Sequence, residues 1–213
     1  NLRALNANYE IQFGHLPRPT HFNTSWDMAK FEVCAHKWAD LSEPDFGVAL
    51  LNDCKYGYAT HGNIMRLSLL RATTAPDPKA DLGRHIFRYA LLPHLGSLHE
   101  GGVIEEGYRF NVPMQIFPTS ASVSQVSYFS ASPSAVILDT VKKAEDSGAL
   151  IVRMYEAHGA HKKARLTSSL SIRSVKECNL LEDEIESDLE WKDGSVSFEV
   201  RPFQIVTLKL ELE

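Results

Sequence analysis

The chain has 213 residues, of which 44% are hydrophobic and 23% are charged, and its formal net charge is −5. This composition is that of an ordinary globular protein, so it excludes a disordered or low-complexity chain. Basic and acidic residues are interspersed, which argues against a nucleic-acid surface, and no apolar run reaches the roughly 18 residues that a membrane-spanning helix needs. We therefore expect no nucleic-acid partner and no membrane partner.

The chain has three cysteines, Cys34, Cys54 and Cys178, without a C-x-x-C pair or zinc-finger spacing. An odd and sparse set favours reduced thiols and a cytoplasmic setting over a disulfide framework. Each cysteine is expected to be a small buried side chain. The first five residues, NLRAL, include no initiator Met and no signal core, which indicates a chain cut from a longer protein.

The first half of the chain predicts a series of strands. Residues 31–41 alternate imperfectly between apolar and polar and are expected to form one strand. Residues 46–51 are a short apolar run between polar segments, which is typical of a strand buried on both faces. Two more strands are predicted at 64–71 and 84–92, and the two prolines between them, within 75–81, make that segment a loop.

One short helix near 98–111 is the exception, because its apolar residues recur near helical spacing and Pro113 follows as a stop. The small polar residues at 119–124 are typical of a connection between domains. The sequence therefore predicts a first domain over 1–118 and a second domain over 119–213.

The second half is rich in short apolar segments separated by turn residues. The predicted strands are 126–130, 135–142, 149–157, 164–175, 196–200 and 204–212. A glycine turn at 147–148 joins two of them as a hairpin, and an Asp-Gly turn at 193–194 precedes another. Many short strands and almost no helix predict an all-β chain, with one β-sandwich followed by a second, smaller antiparallel β-sandwich.

No short motif nominates a catalytic pair. Asp27 and Asp53 are the best candidates for paired carboxylates, yet turn bonds and ion pairs account for most carboxylates in such loops. Nine histidines are scattered, and His158 and His161, the closest pair, would need further ligands from elsewhere to hold a metal. No phosphate loop, serine elbow or Cys-His pattern occurs. We expect no catalytic residue and no metal site in this chain.

Two polar, aromatic-rich loops, 18–27 and 50–58, are the most informative part of the sequence, because such loops beside apolar runs face a ligand or another domain. Together with further stretches they resemble the class II α-mannosidases, family thirty-eight of the glycoside hydrolases. Within this family, the sequence is similar in particular to the C-terminal part of the cytosolic, neutral α-mannosidases of animals. The other matching stretches are 38–43, 67–72, 81–85, 89–94, 153–159 and 202–208.

The resemblance implies a longer enzyme of which this chain is the C-terminal part. In that family an N-terminal α/β barrel carries the nucleophilic Asp, the acid/base and a divalent ion, zinc or cobalt, held partly by a His-x-Asp motif. No His here is followed two residues later by Asp, so that motif is absent. The resemblance implies that this chain supplies two non-catalytic β domains. The first is the C-terminal part of a large β-supersandwich, and the second is a small C-terminal β-sandwich. They would support a retaining cytoplasmic α-mannosidase that hydrolyses terminal α-D-mannose from free oligosaccharides.

The two loops supply the candidate site. The candidate substrate-binding residues are His21, Trp26, Asn52, Asp53, Lys55 and Tyr56. Planar polar groups suit sugar hydroxyls, and aromatic faces suit the apolar face of a mannose ring, while the chemistry lies on the barrel. Alternatively, these loops form the polar interface with the barrel and do not touch sugar.

Two other readings stay open. The chain could be an autonomous carbohydrate-binding β-sandwich that binds mannose through Trp26, Trp38 or Tyr56. It could also be an epimerase-like enzyme that uses its own His21 or His36. Self-association into a homo-oligomer stays open as well, because an incomplete sandwich exposes strands.

Overall fold

The computed structural model describes residues 2–120, 122 and 124–213, and it divides the chain into two compact units between Ile116 and Phe117. The boundary expected from the sequence lies after Pro118. The connection expected at 119–124 includes residues 121 and 123, which lie outside the described residues. Every described strand pairing is antiparallel, and the all-β class is confirmed.

The first unit consists of two sheets of unequal size and two short helices. Its elements are β1 (Asn6–Ile11), β2 (Gly14–Pro19), α1 (Ser25–Ala29), β3 (Val33–Cys34), β4 (Trp38–Ser42), β5 (Phe46–Asn52), β6 (Gly57–His61), β7 (Ile64–Ser68), β8 (Tyr89–Leu95) and α2 (Val103–Asn111). The larger sheet has the order β2-β1-β4-β5-β8, and the smaller sheet has the order β3-β6-β7.

The core of the first unit lies between these sheets. It is made of the buried side chains of Ala7, Tyr9, Ala35, Ala39, Leu41, Leu50 and Tyr58, with Met65 and Leu67 of β7 packed against them. The other face of the larger sheet is covered by α2, which buries Val103, Ile104 and Gly107. A Cβ at Gly107 would lie 2.6 Å from the Trp38 Cδ1 atom, so only glycine lets α2 approach β4 this closely.

The second unit is a sandwich of a four-stranded and a three-stranded sheet. Its strands are β9 (Phe129–Ser132), β10 (Val136–Lys143), β11 (Leu150–Glu156), β12 (Lys162–Ser168), β13 (Ile172–Cys178), β14 (Ser195–Val200) and β15 (Ile205–Leu212). The orders are β10-β11-β15-β13 and β14-β12-β9. Alternate residues of β12 point inward, as Ala164 and Leu166 do. They share one core with side chains of the other sheet, such as Leu208 and Leu210 of β15. The hairpin at 147–148 and the turn at 193–194 are confirmed.

Two predicted strands prove to be pairs of strands. Residues 31–41 contain β3, which pairs with β6, and β4, which pairs with β1 and β5 in the other sheet. Residues 164–175 likewise span β12 and β13, which belong to different sheets. The apolar alternation continues across each break, so periodicity alone could not reveal the change of sheet.

Other boundaries also differ from the prediction. The predicted helix begins only at Val103, and residues 84–88 lie outside β8. The first loop contains a second helix, α1, which the sequence did not predict, and β1, β2 and β6 were not predicted either. The cysteine prediction is wrong for Cys34 and Cys54, which are exposed; Cys178 is buried, and all three thiols are free. Within the described residues, no helix combines the length and apolar character needed to cross a membrane.

Candidate functional site

Asn52, the last residue of β5, fixes the shape of the second loop. Its Oδ1 atom accepts the backbone N–H groups of Cys54 (3.0 Å) and Lys55 (2.5 Å). Its Nδ2 group donates to the His36 carbonyl (2.7 Å) and to the Tyr58 hydroxyl. Asn52 is 1% exposed, so its amide is engaged in the fold and the loop is held as an Asx turn.

Asp53 presents a carboxylate that is held by Arg88. The Oδ1 atom of Asp53 accepts the Arg88 backbone N–H (2.9 Å), and Oδ2 accepts from Arg88 Nε (3.0 Å). The backbone hydrogen bond from Arg88 is the main reason that the pKa of Asp53 is lowered below its ordinary value. Asp53 is therefore ionised at neutral pH and fixed in orientation.

Aromatic and cationic groups flank this carboxylate. Tyr56 is 52% exposed, and its ring lies 5.4 Å from that of His36 in an edge arrangement. Lys55 Nζ lies 4.9 Å from the centre of the Phe87 ring. A ring half open to solvent beside a fixed charge can stack on an apolar face while neighbouring groups bind hydroxyls.

Asp53 and Tyr56 line an open concavity of about 230 Å³. Its lining residues are His36, Lys37, Asn52, Asp53, Tyr56 and Asn111. Asn111, at the end of α2, donates to the Asn52 carbonyl (3.0 Å) and so ties the helix to the loop. Lys37 forms an ion pair with Glu10, and its Nζ atom lies 4.5 Å from the centre of the Tyr108 ring.

A larger concavity of about 490 Å³ adjoins the loop through Lys55. It is lined by Phe31, Glu32, Lys55, Ser68, Leu69, Leu70, Arg71 and Asp81. Lys55 therefore lines one concavity while its neighbours Asp53 and Tyr56 line the other. Residues of the 52–56 loop thus contribute to two neighbouring depressions.

The first loop is organised separately around α1. Thr24 and Asp27 form a capping box at the start of this helix, and His21 Nδ1 lies 3.6 Å from Asp27 Oδ2. Trp26 is 79% exposed, and α1 has no buried residue. Phe22 stacks on His61 at 4.2 Å, so this loop is anchored to β6.

The structure brings together four of the six predicted residues, Asn52, Asp53, Lys55 and Tyr56, within one loop. Among the described residues, no hydrogen bond or ion pair joins that loop to His21 or Trp26. His36 was named from the sequence only for the epimerase-like alternative. Three further contributors, Lys37, Arg88 and Asn111, were not predicted. None of them stands in a recognisable motif, and Arg88 is 35 residues from Asp53.

Asp27 and Asp53, the best candidates for paired carboxylates although no catalytic residue was expected, both make hydrogen bonds within the fold. Asp27 accepts hydrogen bonds from the Thr24 backbone N–H (3.1 Å) and hydroxyl (2.8 Å), and Asp53 is bound by Arg88. At the predicted histidine pair, the His158 backbone N–H donates to Glu156. No group of three or more His, Cys, Asp or Glu side chains among residues 2–120, 122 and 124–213 could hold a metal ion.

A buried Asp-His pair lies inside the larger sheet. Asp40 Oδ1 is 2.8 Å from His94 Nε2, and Asp40 Oδ2 accepts the Ser42 hydroxyl at 2.7 Å. Burial raises the pKa of Asp40, while its hydrogen bonds with His94 and Ser42 act against this shift. Cβ atoms at Gly47 or Gly101 would collide with the His94 ring, so the pair is enclosed and ties β4 to β8.

Two family models match the chain. The model described as "Glycosyl hydrolases family 38 C-terminal domain" matches residues 1–79. The model described as "Glycosyl hydrolases family 38 C-terminal beta sandwich domain" matches residues 135–208. Together these matches cover more than two thirds of the chain, and they lie in the first and second unit respectively.

Curated relatives match over the whole chain but are far longer. Alpha-mannosidase 2C1 of Homo sapiens is 50% identical over 218 residues, which cover 100% of this chain and 21% of the relative. Alpha-mannosidase G of Dictyostelium discoideum is 48% identical, with 98% of this chain and 20% of the relative covered. This chain therefore spans about a fifth of the length of the curated relatives it matches.

The fold also matches solved structures. The crystal structure of an α-mannosidase from Enterococcus faecalis V583 superposes with a TM-score of 0.79 and 17% identity, covering 99% of this chain and 24% of that chain. At this identity the likeness shows the fold alone.

Proposed function

Because the chain belongs to the C-terminal domains of glycosyl hydrolase family 38, we propose that it is the non-catalytic C-terminal part of a retaining α-mannosidase. The enzyme would hydrolyse terminal α-D-mannose from free oligosaccharides in the cytoplasm, a setting that fits three free cysteines. One observation carries the proposal: the whole chain matches relatives named α-mannosidases at 48–50% identity, yet it covers only about a fifth of them.

The catalytic groups and the divalent ion, zinc or cobalt, are assigned to an N-terminal barrel outside this chain. The described residues do not fit a metal, since no group of three candidate ligands converges. The best carboxylate candidates, Asp27 and Asp53, are engaged in a helix cap and an ion pair. This chain would therefore act by positioning and not by covalent or acid–base chemistry.

The concavity beside the 52–56 loop is proposed as one wall of the sugar site. Asp53 is a fixed acceptor for sugar hydroxyls, Lys37 is a donor, and the exposed ring of Tyr56 can lie against the apolar face of mannose. Lys55 would donate from the adjoining larger concavity. At about 230 Å³ and open to solvent, the concavity is smaller than typical enclosed ligand sites. It needs a second wall, which the barrel would supply.

His21 and Trp26, in the separate first loop, are proposed to contact the sugar or the barrel away from the concavity. Trp26 is 79% exposed on a helix without a buried residue, so its ring is free to stack on a sugar or on the barrel. The same exposure favours the second candidate function, an autonomous carbohydrate-binding module.

The test is reconstitution of α-mannosidase activity. This chain is mixed with the remainder, by which we mean the part of the human relative outside its match to this chain, and hydrolysis of a chromogenic α-mannoside is followed at neutral pH with added zinc or cobalt. We expect activity only in the mixture, and a fall in kcat/KM of roughly tenfold or more for Tyr56→Ala or Asp53→Asn, since one good contact contributes about 1.4 kcal/mol or more.

The matched control is Tyr128→Ala, which removes a tyrosine of similar exposure (57%) in the second unit and should leave kcat/KM unchanged. Turnover by this chain alone would contradict the proposal. If the mixture is inactive and the chain alone binds mannose, with binding lost in Trp26→Ala, the module is the correct function.

A further inference from the structure

The inner face of the larger sheet in the first unit is covered over only part of its width. The smaller sheet has three strands and packs its Tyr58, Met65 and Leu67 side chains into the shared core. The larger sheet has five strands and ends at β8. Because paired residues of antiparallel strands point to the same face, the register shows which β8 side chains continue this inner face.

One cross-strand row shows where the cover ends. Tyr9 pairs with Ala39, Ala39 with Leu50, and Leu50 with Leu91. The exposed fractions along this row are 1%, 0%, 8% and 70%. The first three side chains belong to the core, whereas the fourth, Leu91, is also apolar but lies mostly in solvent.

The neighbouring pairs between β5 and β8 extend the exposed strip along β8. Phe46 pairs with Leu95, and these side chains are 40% and 79% exposed. Val48 pairs with Pro93, and Asn52 pairs with Tyr89, which is 56% exposed. The β8 face, by which we mean the side chains of Tyr89, Leu91, Pro93 and Leu95, is therefore a contiguous apolar strip along one strand. A contiguous strip of this kind marks an interaction surface, whereas single exposed apolar residues do not.

The residues of β8 favour a partner that packs on its apolar side chains over a strand that pairs with its free backbone edge. Pro93 has no N–H group and sits in the middle of an edge strand, which is a common device against strand addition. A strand added beside β8 would extend the sheet but leave the Leu91 and Leu95 side chains pointing out of its plane into solvent. Burying them requires a second layer, about 10 Å away, as the smaller sheet provides over Leu50.

We propose that the β8 face is the docking surface for β-structure supplied by the remainder of a family 38 α-mannosidase. This inference rests on the proposed function. About four fifths of the human relative lies outside its match to this chain, so a large amount of polypeptide is at hand to complete the layer. The occupant is an amphipathic strand or hairpin whose apolar side chains pack on Leu91 and Leu95.

The test is thiol protection at Leu91. In a background of Cys34→Ser and Cys54→Ser, which removes the two exposed thiols, Leu91→Cys and the control Leu181→Cys are labelled with a maleimide. Both leucines are exposed, at 70% and 84%, so both variants should fold and label rapidly in the chain alone. After addition of the remainder we expect labelling of Leu91→Cys to slow at least tenfold, while Leu181→Cys is unchanged.

The α-mannosidase activity of the same mixtures separates the two claims. Activity together with protection at Leu91 supports both, and Leu91→Glu should then abolish activity while Leu181→Glu does not. Activity with undiminished labelling of Leu91→Cys overturns the docking surface and leaves the proposed function standing. Absence of both activity and association overturns both. Slow labelling in the chain alone, with a dimer mass, would identify a second copy as the occupant and overturn the proposal.

Discussion

The two units of this chain differ in how completely their sheets cover each other's apolar faces. In the second unit, sheets of four and three strands enclose a core of buried side chains to which both sheets contribute. In the first unit, five strands face three, and the β8 face stays exposed. The unit with the uncovered apolar strip also carries the polar concavity at Asp53 and Tyr56. The second unit thus encloses its main core between its own sheets, and the first unit is the one for which we propose a partner.

The largest expected effect contrasts one leucine from each unit. Leu208→Ala removes a fully buried side chain from the second core and should lower the free energy of unfolding by about 3 kcal/mol. Leu91→Ala on the β8 face should change it by less than about 0.5 kcal/mol, because 70% of that side chain is already exposed. Urea denaturation measures both. A cost at Leu91 comparable to that at Leu208 would show that the face is covered within this chain.

A smaller effect is expected at the buried carboxylate that closes one end of the second unit. Glu156 is 0% exposed; its Oε1 atom accepts the His158 N–H (3.0 Å), and Oε2 accepts those of Gly159 (2.8 Å) and Phe203 (3.1 Å). Glu156→Gln replaces one acceptor by an NH₂ group that faces a donor, so we expect a loss of about 2 kcal/mol.

Thermal denaturation checks this expectation, with the exposed Glu186→Gln as the matched control, which should be neutral. Equal melting temperatures for the two variants would mean that Glu156 does not organise the turns at 158–159 and 201–204.

The smallest effect concerns the surface ion pairs of the second unit. Lys142 pairs with Glu182 (2.8 Å) and Glu145, and the hydrogen bond from Lys142 is the main reason that the pKa of Glu182 is lowered. A lowered carboxylate pKa in the folded state adds stability above the ordinary value of about 4.3, and this stability is lost as pH falls through the folded pKa. Lys142→Met should therefore lower the melting temperature slightly at pH 7 and not at all near pH 2. A difference that persists in acid would assign the effect to packing.

Much of the second unit could be predicted from the sequence, because its signals are local. The strands β10, β11, β14 and β15 show apolar alternation and are bounded by turn residues, so their predicted ends lie within one or two residues of the observed ones. The break between β12 and β13 could not be predicted, because only the partner strands decide that residue 172 belongs to the other sheet.

The first unit was harder to predict for the same reason. Pro17 and Pro19 argue against a strand, yet β2 is an edge strand, where proline is tolerated. The turn at Asn52 follows from local Asn chemistry, and Asp53, Lys55 and Tyr56 lie beside it because they follow it directly in the sequence. Arg88 and Asn111 reach this turn from 36 and 59 positions away, and no local pattern reports such contacts.

The most direct test of the contrast between the units is hydrogen–deuterium exchange of this chain, alone and with the remainder of the human relative. We expect the largest new protection in two segments of the first unit, the 52–56 loop and β8. The strands β11 and β15 are the two inner strands of the four-stranded sheet in the second unit, so their amides should exchange slowly in both samples. New protection confined to the second unit, with the 52–56 loop and β8 unchanged, would contradict the account that the first unit is the one a partner completes.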